Sequence, residues 1–553
     1  MGSPVVCTIV SNNYLAFARV LVDSLLDRHP GIEAWVLIVD EPADSIDYSA
    51  EKFQVLFAHE LGIPAFRHFA FKYSLIELNT AVKPYFLAYL SRKSAAESVI
   101  YFDPDIKIYG DLAPLFELIR DFNLVLTPHL LEPLQDDKRP SERSILLSGV
   151  YNLGFLGLHF NQETLEFLEW WQQRLYAHCL HRVADGLFVD QRWMDLAPGF
   201  VSRVHILRDP GYNMAYWNLA NRHLTAESGD WYVNEVPLRF FHFSGIAVDD
   251  VEKISKYQDR YKLRDRPDLK PLIEGYRQDL IEAGHQRLEG VAYAYGRFGN
   301  GVALPDVARS ELWRQDARGD RWADPFEVTG TESYLDWLSQ TVDREDGDRA
   351  LPRIALLLWE SRQDLQRAFP APLGDDYEEF VRWILSGEPA ASGLEPVWFN
   401  DLAATFKDRR IRLQPTGPHL QARHEAPADE LQGLTRYDLQ TLGADASFDA
   451  QQQPLIPKMA MLIWEDRHDI HEAFQAPLGQ SRRAFARWYT TFAALEYRIP
   501  DALVRPTRRT MPIRDQLYAS IWRTLAQRGH IRFIPQGSWR QLASTADPAR
   551  RQT

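Results

Sequence analysis

"SVIYFDPDIKIYG", residues 98–110, sets two aspartates one residue apart directly behind an apolar run. Val99, Ile100, Tyr101 and Phe102 are β-branched or aromatic, the composition of a short strand covered on both faces. Asp103 and Asp105 therefore stand where that strand meets solvent, the kind of sheet edge at which open α/β folds bind ligands. An Asp-x-Asp at such an edge can hold a hard divalent cation, Mg²⁺ or Mn²⁺, because carboxylates, waters and phosphate oxygens make the oxygen shell these ions prefer. Taken alone, the pair is weak evidence and reads first as a solvated strand end.

Outward from this stretch the chain shows two compositions. Up to about residue 250, short apolar runs (Val5–Val10, Trp35–Val39, Val99–Phe102, Leu124–Leu126, Val150–Leu158) alternate with amphipathic stretches such as Ala16–Leu26 and Leu165–Tyr176. That alternation predicts an α/β sandwich. After Lys253 the residues are mainly Arg, Glu, Asp, Gln, Leu and Trp at helical spacing, with Pro- and Gly-containing breaks near 298–305, 370–374, 414–418 and 475–480. This half is expected to be mostly helical. It also repeats itself: "LPRIALLLWESRQDLQRAFPAPLGDDYEEFVRWIL" is matched by "IPKMAMLIWEDRHDIHEAFQAPLGQSRRAFARWYT", with Trp359, Asp364, Phe369, Gly374 and Trp383 each 105 residues before an identical residue. A gap-free repeat of this kind predicts a duplicated helical unit whose Trp, Phe and Leu pack together and whose Pro-Leu-Gly step turns the chain. Arg362 with Asp364, like Arg467 with Asp469, reads as a structural ion pair or cap.

The expected division is 1–255 for the α/β domain, 256–330 for a helical packing segment and 331–390 for the first repeat. A linker at 391–433, a second repeat with C-terminal helices at 434–536 and a flexible tail at 537–553 complete it.

Composition bounds the function. The 553 residues, 45% of them hydrophobic, suffice for two to four domains and a large core. With 62 basic against 76 acidic side chains the net charge is −14, so nucleic acid is not an expected partner. Two cysteines, Cys7 and Cys179, cannot make a disulfide framework and share no metal-ligand spacing. No basic leader precedes the first strand and no run reaches about 18 uninterrupted apolar residues. A cytoplasmic protein, or one peripheral to the inner face of the membrane, is expected.

Six landmarks in order make residues 4–250 resemble the GT-A glycosyltransferases, specifically the retaining, metal-dependent group that includes glycogenin and lipopolysaccharide galactosyltransferases. They are "VCTIVSNNYLAFARVLVDSLL", "TAVKPYFLAYL", "FDPD", "VYNLGFLGL", "FVDQRW" and "FFHFSG". The resemblance implies a Rossmann-like nucleotide-sugar-binding domain, followed here by a mostly helical region with a duplicated unit. It implies Mn²⁺ or Mg²⁺ held by Asp103, Asp105 and His242. Ile9 (through its backbone), Ser11 and Asn13 would contact the nucleotide, and Lys83 the diphosphate. Asn152, Asp190 and Gln191 would face the sugar, with His129 lining the sugar or acceptor pocket. In the resembling enzymes the Gln of the Asp-Gln pair lies beside the reacting carbon, so Asp190 and Gln191 are the catalytic candidates. Plainer roles stand beside these: a sheet-edge histidine for His242, a strand-to-helix cap for Ser11 and Asn13, and packing for His129.

The implied activity is transfer of a sugar, from a UDP-sugar by resemblance, to a glycan, lipid-linked or protein acceptor with retention of anomeric configuration. The helical repeats resemble segments beside bacterial polysaccharide glycosyltransferases, where they would position an acceptor or an assembly partner. The chain departs from the family after its histidine: "HFSGIAVDDVEKISKY" stands where a Gly-x-x-Lys-Pro-Trp often touches phosphate. Two other classes remain open. One is a metal-dependent nucleotidyltransferase or sugar-nucleotide hydrolase, for which the first turn lacks a Gly- and Lys-rich phosphate loop. The other is a non-catalytic scaffold of polysaccharide assembly.

Overall fold

The computed structural model describes residues 3–408, apart from 249, 317–320, 330–331 and 344–348, and beyond them single positions between 456 and 511 with the helix Arg482–Trp488. The chain divides into two compact units, Met1–Gln421 and Ala422–Thr553.

The first unit is built on a seven-stranded mixed sheet. Its strands are β1 (Val5–Val10), β2 (Ala34–Ile38), β3 (Gln54–Phe57), β4 (Ser98–Phe102), β6 (Leu124–Pro128), β7 (Tyr151–His159) and β8 (Val204–Ile206). The order across the sheet is β8-β6-β7-β4-β1-β2-β3, and only β7 runs against its neighbours. A second sheet of three short strands, β5 (Ile106–Ile108), β9 (Met214–Ala215) and β10 (Phe240–His242), has β10 in the middle. From β1 the chain steps outward to β2 and β3, then returns to pair β4 with the other side of β1. The β1–β4 boundary is thus the point where the strand order reverses, and open α/β sheets bind ligands beyond the carboxyl ends of the strands at such a point.

Alternation along the strands explains the two covered faces. Val5, Cys7, Ile9, Val99 and Tyr101 point into one core cluster, whereas Val6, Ile100 and Phe102 point into another. The first cluster receives helices Lys83–Lys93 and Gln162–His178, and the second receives Leu15–Arg28 and Ala113–Asp121. A parallel strand sandwiched this way is buried at every position, as β1 and β4 are, and both are apolar apart from Thr8 and Ser98. Cys7 is one more small buried residue of β1.

Packing continues past residue 255. The helix Lys270–Glu282 lays Ile273, Tyr276 and Leu280 against Phe17 and Val20, and Tyr276 stacks on Phe243 with ring centroids 3.7 Å apart. Its Arg277 donates to the carbonyls of Ala247, Asp250, Val251 and Lys253 and so holds the segment that follows His242. Farther on, Phe71 packs against Phe298, Phe326 and Tyr334. Arg309 donates to the carbonyls of Phe71, Tyr73 and Tyr295.

The first repeat copy forms three helices after its opening residues, with a non-helical turn over 369–376 between the second and the third. Helices Arg353–Ser361, Gln363–Ala368 and Tyr377–Leu385 surround Phe369, which lies 5.2 Å from Phe380 and 6.2 Å from Trp383 between ring centroids. The indole N–H of Trp359 donates to the Phe369 carbonyl, and the turn closes through Gly374 N–H to Ala371 O at 2.7 Å. Arg362 pairs with Asp364 and also donates to Ser392 Oγ, both structural contacts. The second copy lies mostly outside the described residues. Of it, Phe485 and Trp488 in helix Arg482–Trp488 are buried and stacked.

Candidate active site and metal centre

The reversal point gathers the ends of β1, β4, β6 and β10 and the start of β7. Asp103 follows β4 directly, and its N–H donates to Gly154 O in β7 at 2.7 Å. In the small sheet His242 pairs with Ile106, and Phe243 N–H donates to Asp105 O at 2.8 Å, which brings the imidazole beside the two aspartates. His242 Nε2 lies 2.9 Å from Asp105 Oδ1 and 3.7 Å from Asp103 Oδ2. One ligand atom from each of the three residues falls within a 4.8 Å cluster, the one group among the described residues that could hold a metal ion. Two carboxylates and one imidazole suit Mg²⁺ or Mn²⁺, and they leave positions for waters and phosphate oxygens. Gly154 makes room for the ring: a Cβ there would stand 2.2 Å from His242 Cε1 and 2.8 Å from Asn152 Oδ1.

The electrostatics match a site arranged around positive charge. Desolvation raises the Asp103 carboxyl pKa, and Asp105 adds to this; Lys83 and His242 oppose both without cancelling them. For His242 burial acts downward, but Asp105, its hydrogen bond and Asp103 together outweigh it and raise the imidazole. The Tyr101 hydroxyl donates to Asp103 Oδ1 at 2.7 Å, fixing that carboxylate from behind.

Lys83 begins its helix beneath this cluster and is fully buried. Its ammonium sits 2.6 Å from Asp190 Oδ2, donates to Leu153 O and lies over the Tyr101 ring. The side chain expected beside a diphosphate is thus joined to Asp190, a pairing across the sequence that neither motif discloses. Burial raises the Asp190 carboxyl pKa despite Lys83. Removing either partner would leave an uncompensated buried charge, at a cost of about 3–5 kcal/mol.

Asn152 and Gln191 are buried next to this pair. Gln191 donates from Nε2 to Ser148 O at 2.9 Å, and its Oε1 accepts from Leu153 N–H at 3.1 Å. Asn152 Oδ1 accepts from Gly154 N–H and from Asn213 Nδ2. The partner that a buried Asn in an apolar strand requires is therefore supplied within the protein. His129 is buried against Trp217, with Nε2 3.4 Å from Asn152 Nδ2, and burial pushes its pKa down to about 4, so the ring is neutral near pH 7.

At the end of β1, Ile9 and Ser11 are buried, and Ser11 Oγ donates to the partly exposed Asn13 Oδ1 at 2.5 Å. Their neighbour Asn12 holds the turn: its Nδ2 donates to Glu41 O and its Oδ1 accepts from Tyr48 OH. Tyr14 lies beside them, 41% exposed and stacked on Phe17, close enough to Asp105 for that charge to help raise its hydroxyl pKa after desolvation. Asn12, Tyr14, Tyr101 and Asn213 are the contributors that motif reading passed over. The doubled Asn in "SNNY" was the one available signal.

Asp40, just beyond β2, is a second buried carboxylate at this edge. It accepts from Ala294 N–H at 2.8 Å and Glu41 N–H at 3.0 Å, yet desolvation lifts its pKa to about 6. A raised carboxyl stabilises the fold through its neutral form, fully so below about pH 4 and no longer once pH passes about 6. Asp40→Asn keeps an oxygen for both N–H groups. It should be more stable than the parent at pH 7.5 by up to about 3 kcal/mol, with the gap closing toward pH 4, as denaturant melts at the two pH values would read.

Comparison with known proteins adds the following. No family model matches the chain. It is 28% identical over 201 residues to the uncharacterized protein YfnF of Bacillus subtilis (strain 168), covering 36% of this chain and 65% of YfnF, just under two thirds of its length. It is 26% identical over 312 residues to YfnD of the same organism, also uncharacterized, covering 54% of this chain and 96% of YfnD. Similar solved structures are glycosyltransferases. The galactosyltransferase LgtC, in complex with donor and acceptor sugar analogues, is 14% identical, with 52% of this chain and 97% of that one covered and a TM-score of 0.31. GlyE of Streptococcus pneumoniae TIGR4 is 15% identical, with 54% and 67% covered and a TM-score of 0.29. TM-scores this low carry no weight for activity, which has to be argued from the residues of the site. No described helix is long and apolar enough to cross a membrane.

Proposed function

We propose that this chain is a metal-dependent glycosyltransferase that moves a sugar from a nucleotide-sugar, a UDP-sugar, to a glycan, lipid-linked or protein acceptor with retention of anomeric configuration. The observation that carries the reading is the convergence of Asp103, Asp105 and His242 at the point of strand reversal. A divalent cation bound there would neutralise negative charge on a departing nucleoside diphosphate. Asp103 and Asp105 would offer carboxylate oxygens and His242 its Nε2. Lys83, held by Asp190 and Leu153 O, contributes a fixed positive charge behind Asp103. Ile9, Ser11 and Asn13 would bind the nucleoside, with Tyr14 beside them.

Asn152, Asp190 and Gln191 would face the sugar. Gln191 is held at both ends of its amide, so its oxygen is preset rather than swung into place, and a preset dipole stabilises developing positive charge without reorganisation. The helical repeats would position the acceptor or an assembly partner. The direct test is nucleotide release and sugar transfer from a panel of UDP- and GDP-sugars with Mn²⁺, with and without EDTA, followed by NMR of the product's anomeric coupling. An EDTA-sensitive transfer giving an α-linked product from an α-linked donor is expected. Hydrolysis alone, a β-linked product, or no turnover with any donor would count against the reading, and a β-linked product would turn the search to a general base such as Asp209 or His129.

A further inference from the structure

We propose that Asn213 is a positioning residue of the metal centre: it holds His242 in the tautomer that carries its proton on Nδ1, leaving the Nε2 lone pair for the cation. The inference rests on the metal reading above and adds a residue to it. Asn213 Oδ1 lies 3.3 Å from His242 Nδ1, on the side of the ring away from Asp103 and Asp105. Which end of the Asn213 amide faces the ring is set by two other bonds, because its Nδ2 donates to Thr127 Oγ1 at 2.8 Å and to Asn152 Oδ1 at 3.0 Å. With both acceptors opposite the NH₂ group, the oxygen is left for His242, and only an Nδ1–H can satisfy it.

The backbone is arranged for the same purpose. Asn213 has φ +52°, a left-handed conformation that asparagine tolerates better than most residues. The turn is fixed by Asn218, whose Oδ1 accepts from Ala215 N–H and whose Nδ2 donates to Asn213 O, and by Arg222, which donates to the carbonyls of Pro210 and Tyr212. Asn213 is 1% exposed and His242 2%. Water therefore has little access to replace this bond. Residues that orient a ligating histidine in this way typically contribute about 10- to 100-fold in metal affinity.

The test is Mn²⁺ binding to the full chain without donor, read by the electron paramagnetic resonance of free Mn²⁺. Asn213→Gly suits the left-handed backbone and removes only the side chain. It should bind Mn²⁺ about 10- to 100-fold more weakly than the parent, whereas Thr127→Ser, which keeps the hydroxyl that accepts from the Asn213 amide, should stay within about threefold. Parental affinity in Asn213→Gly overturns the proposal while leaving the metal site standing. A parent chain that binds no Mn²⁺ overturns the metal reading and this inference with it. Long-range ¹⁵N–¹H NMR of His242 in the Mg²⁺-loaded parent requires no variant to fold: a protonated Nδ1 is expected, and a protonated Nε2 overturns the proposal.

Discussion

Replacing Asp105 with alanine is expected to lower turnover by about two orders of magnitude or more while the protein stays folded. Asp105 is partly exposed at the end of a turn, and its backbone carbonyl, not its side chain, accepts the bond from Phe243. The substitution thus removes a carboxylate oxygen from the ligand cluster without removing a sheet contact. It also takes away the nearest partner of His242 Nε2. Turnover and Mn²⁺ affinity should fall together, with the melting temperature little changed. An Asp105→Ala protein that is fully active in EDTA would remove the metal from the account.

A chain ending at residue 255 should be insoluble or unfolded, whereas one ending at 421 should fold. The shorter fragment would lose the partners of Phe17, Val20, Phe71 and Phe243 supplied by Ile273, Tyr276, Leu280, Phe298, Phe326 and Tyr334. Each large apolar side chain newly exposed costs about 1.5–3 kcal/mol, and a handful exceeds the roughly 5–15 kcal/mol by which a typical domain is stable. Arg277 and Arg309 would be lost too, freeing the carbonyls they bind around residues 247–253 and 71–73. Circular dichroism and size exclusion of the two fragments would check this. A soluble, cooperatively melting 1–255 fragment would mean that the later helices only rest on the first 255 residues.

Much of this architecture is legible in the sequence because strands covered on both faces leave nearly uninterrupted apolar runs, whichever way they run. β1, β4 and β7 coincide with such runs to within a residue or so. The edge strand β3 does not, since only Leu56 of its four residues is buried. The three-residue strands β5, β8 and β10 are too short for any period to show. At the site, the Asp-x-Asp pair and the histidine carry their own chemistry and can be named from residue type. The supports cannot: Lys83 meets Asp190, and Asn213 meets Thr127 86 residues away, only through the topology. Lys83 is the instructive case. A lysine at a helix start reads as a free cation, and only the folded sheet reveals that its charge is joined to a buried carboxylate.

The central claim is that Asp103, Asp105 and His242 form the cation site of a nucleotide-sugar enzyme. Anomalous diffraction at the manganese edge, from crystals of the full chain soaked with Mn²⁺ and UDP, tests it most directly. The account predicts a single strong peak among Asp103, Asp105 and His242 with the diphosphate against it; a peak elsewhere, or UDP bound with no cation at these three residues, would contradict it.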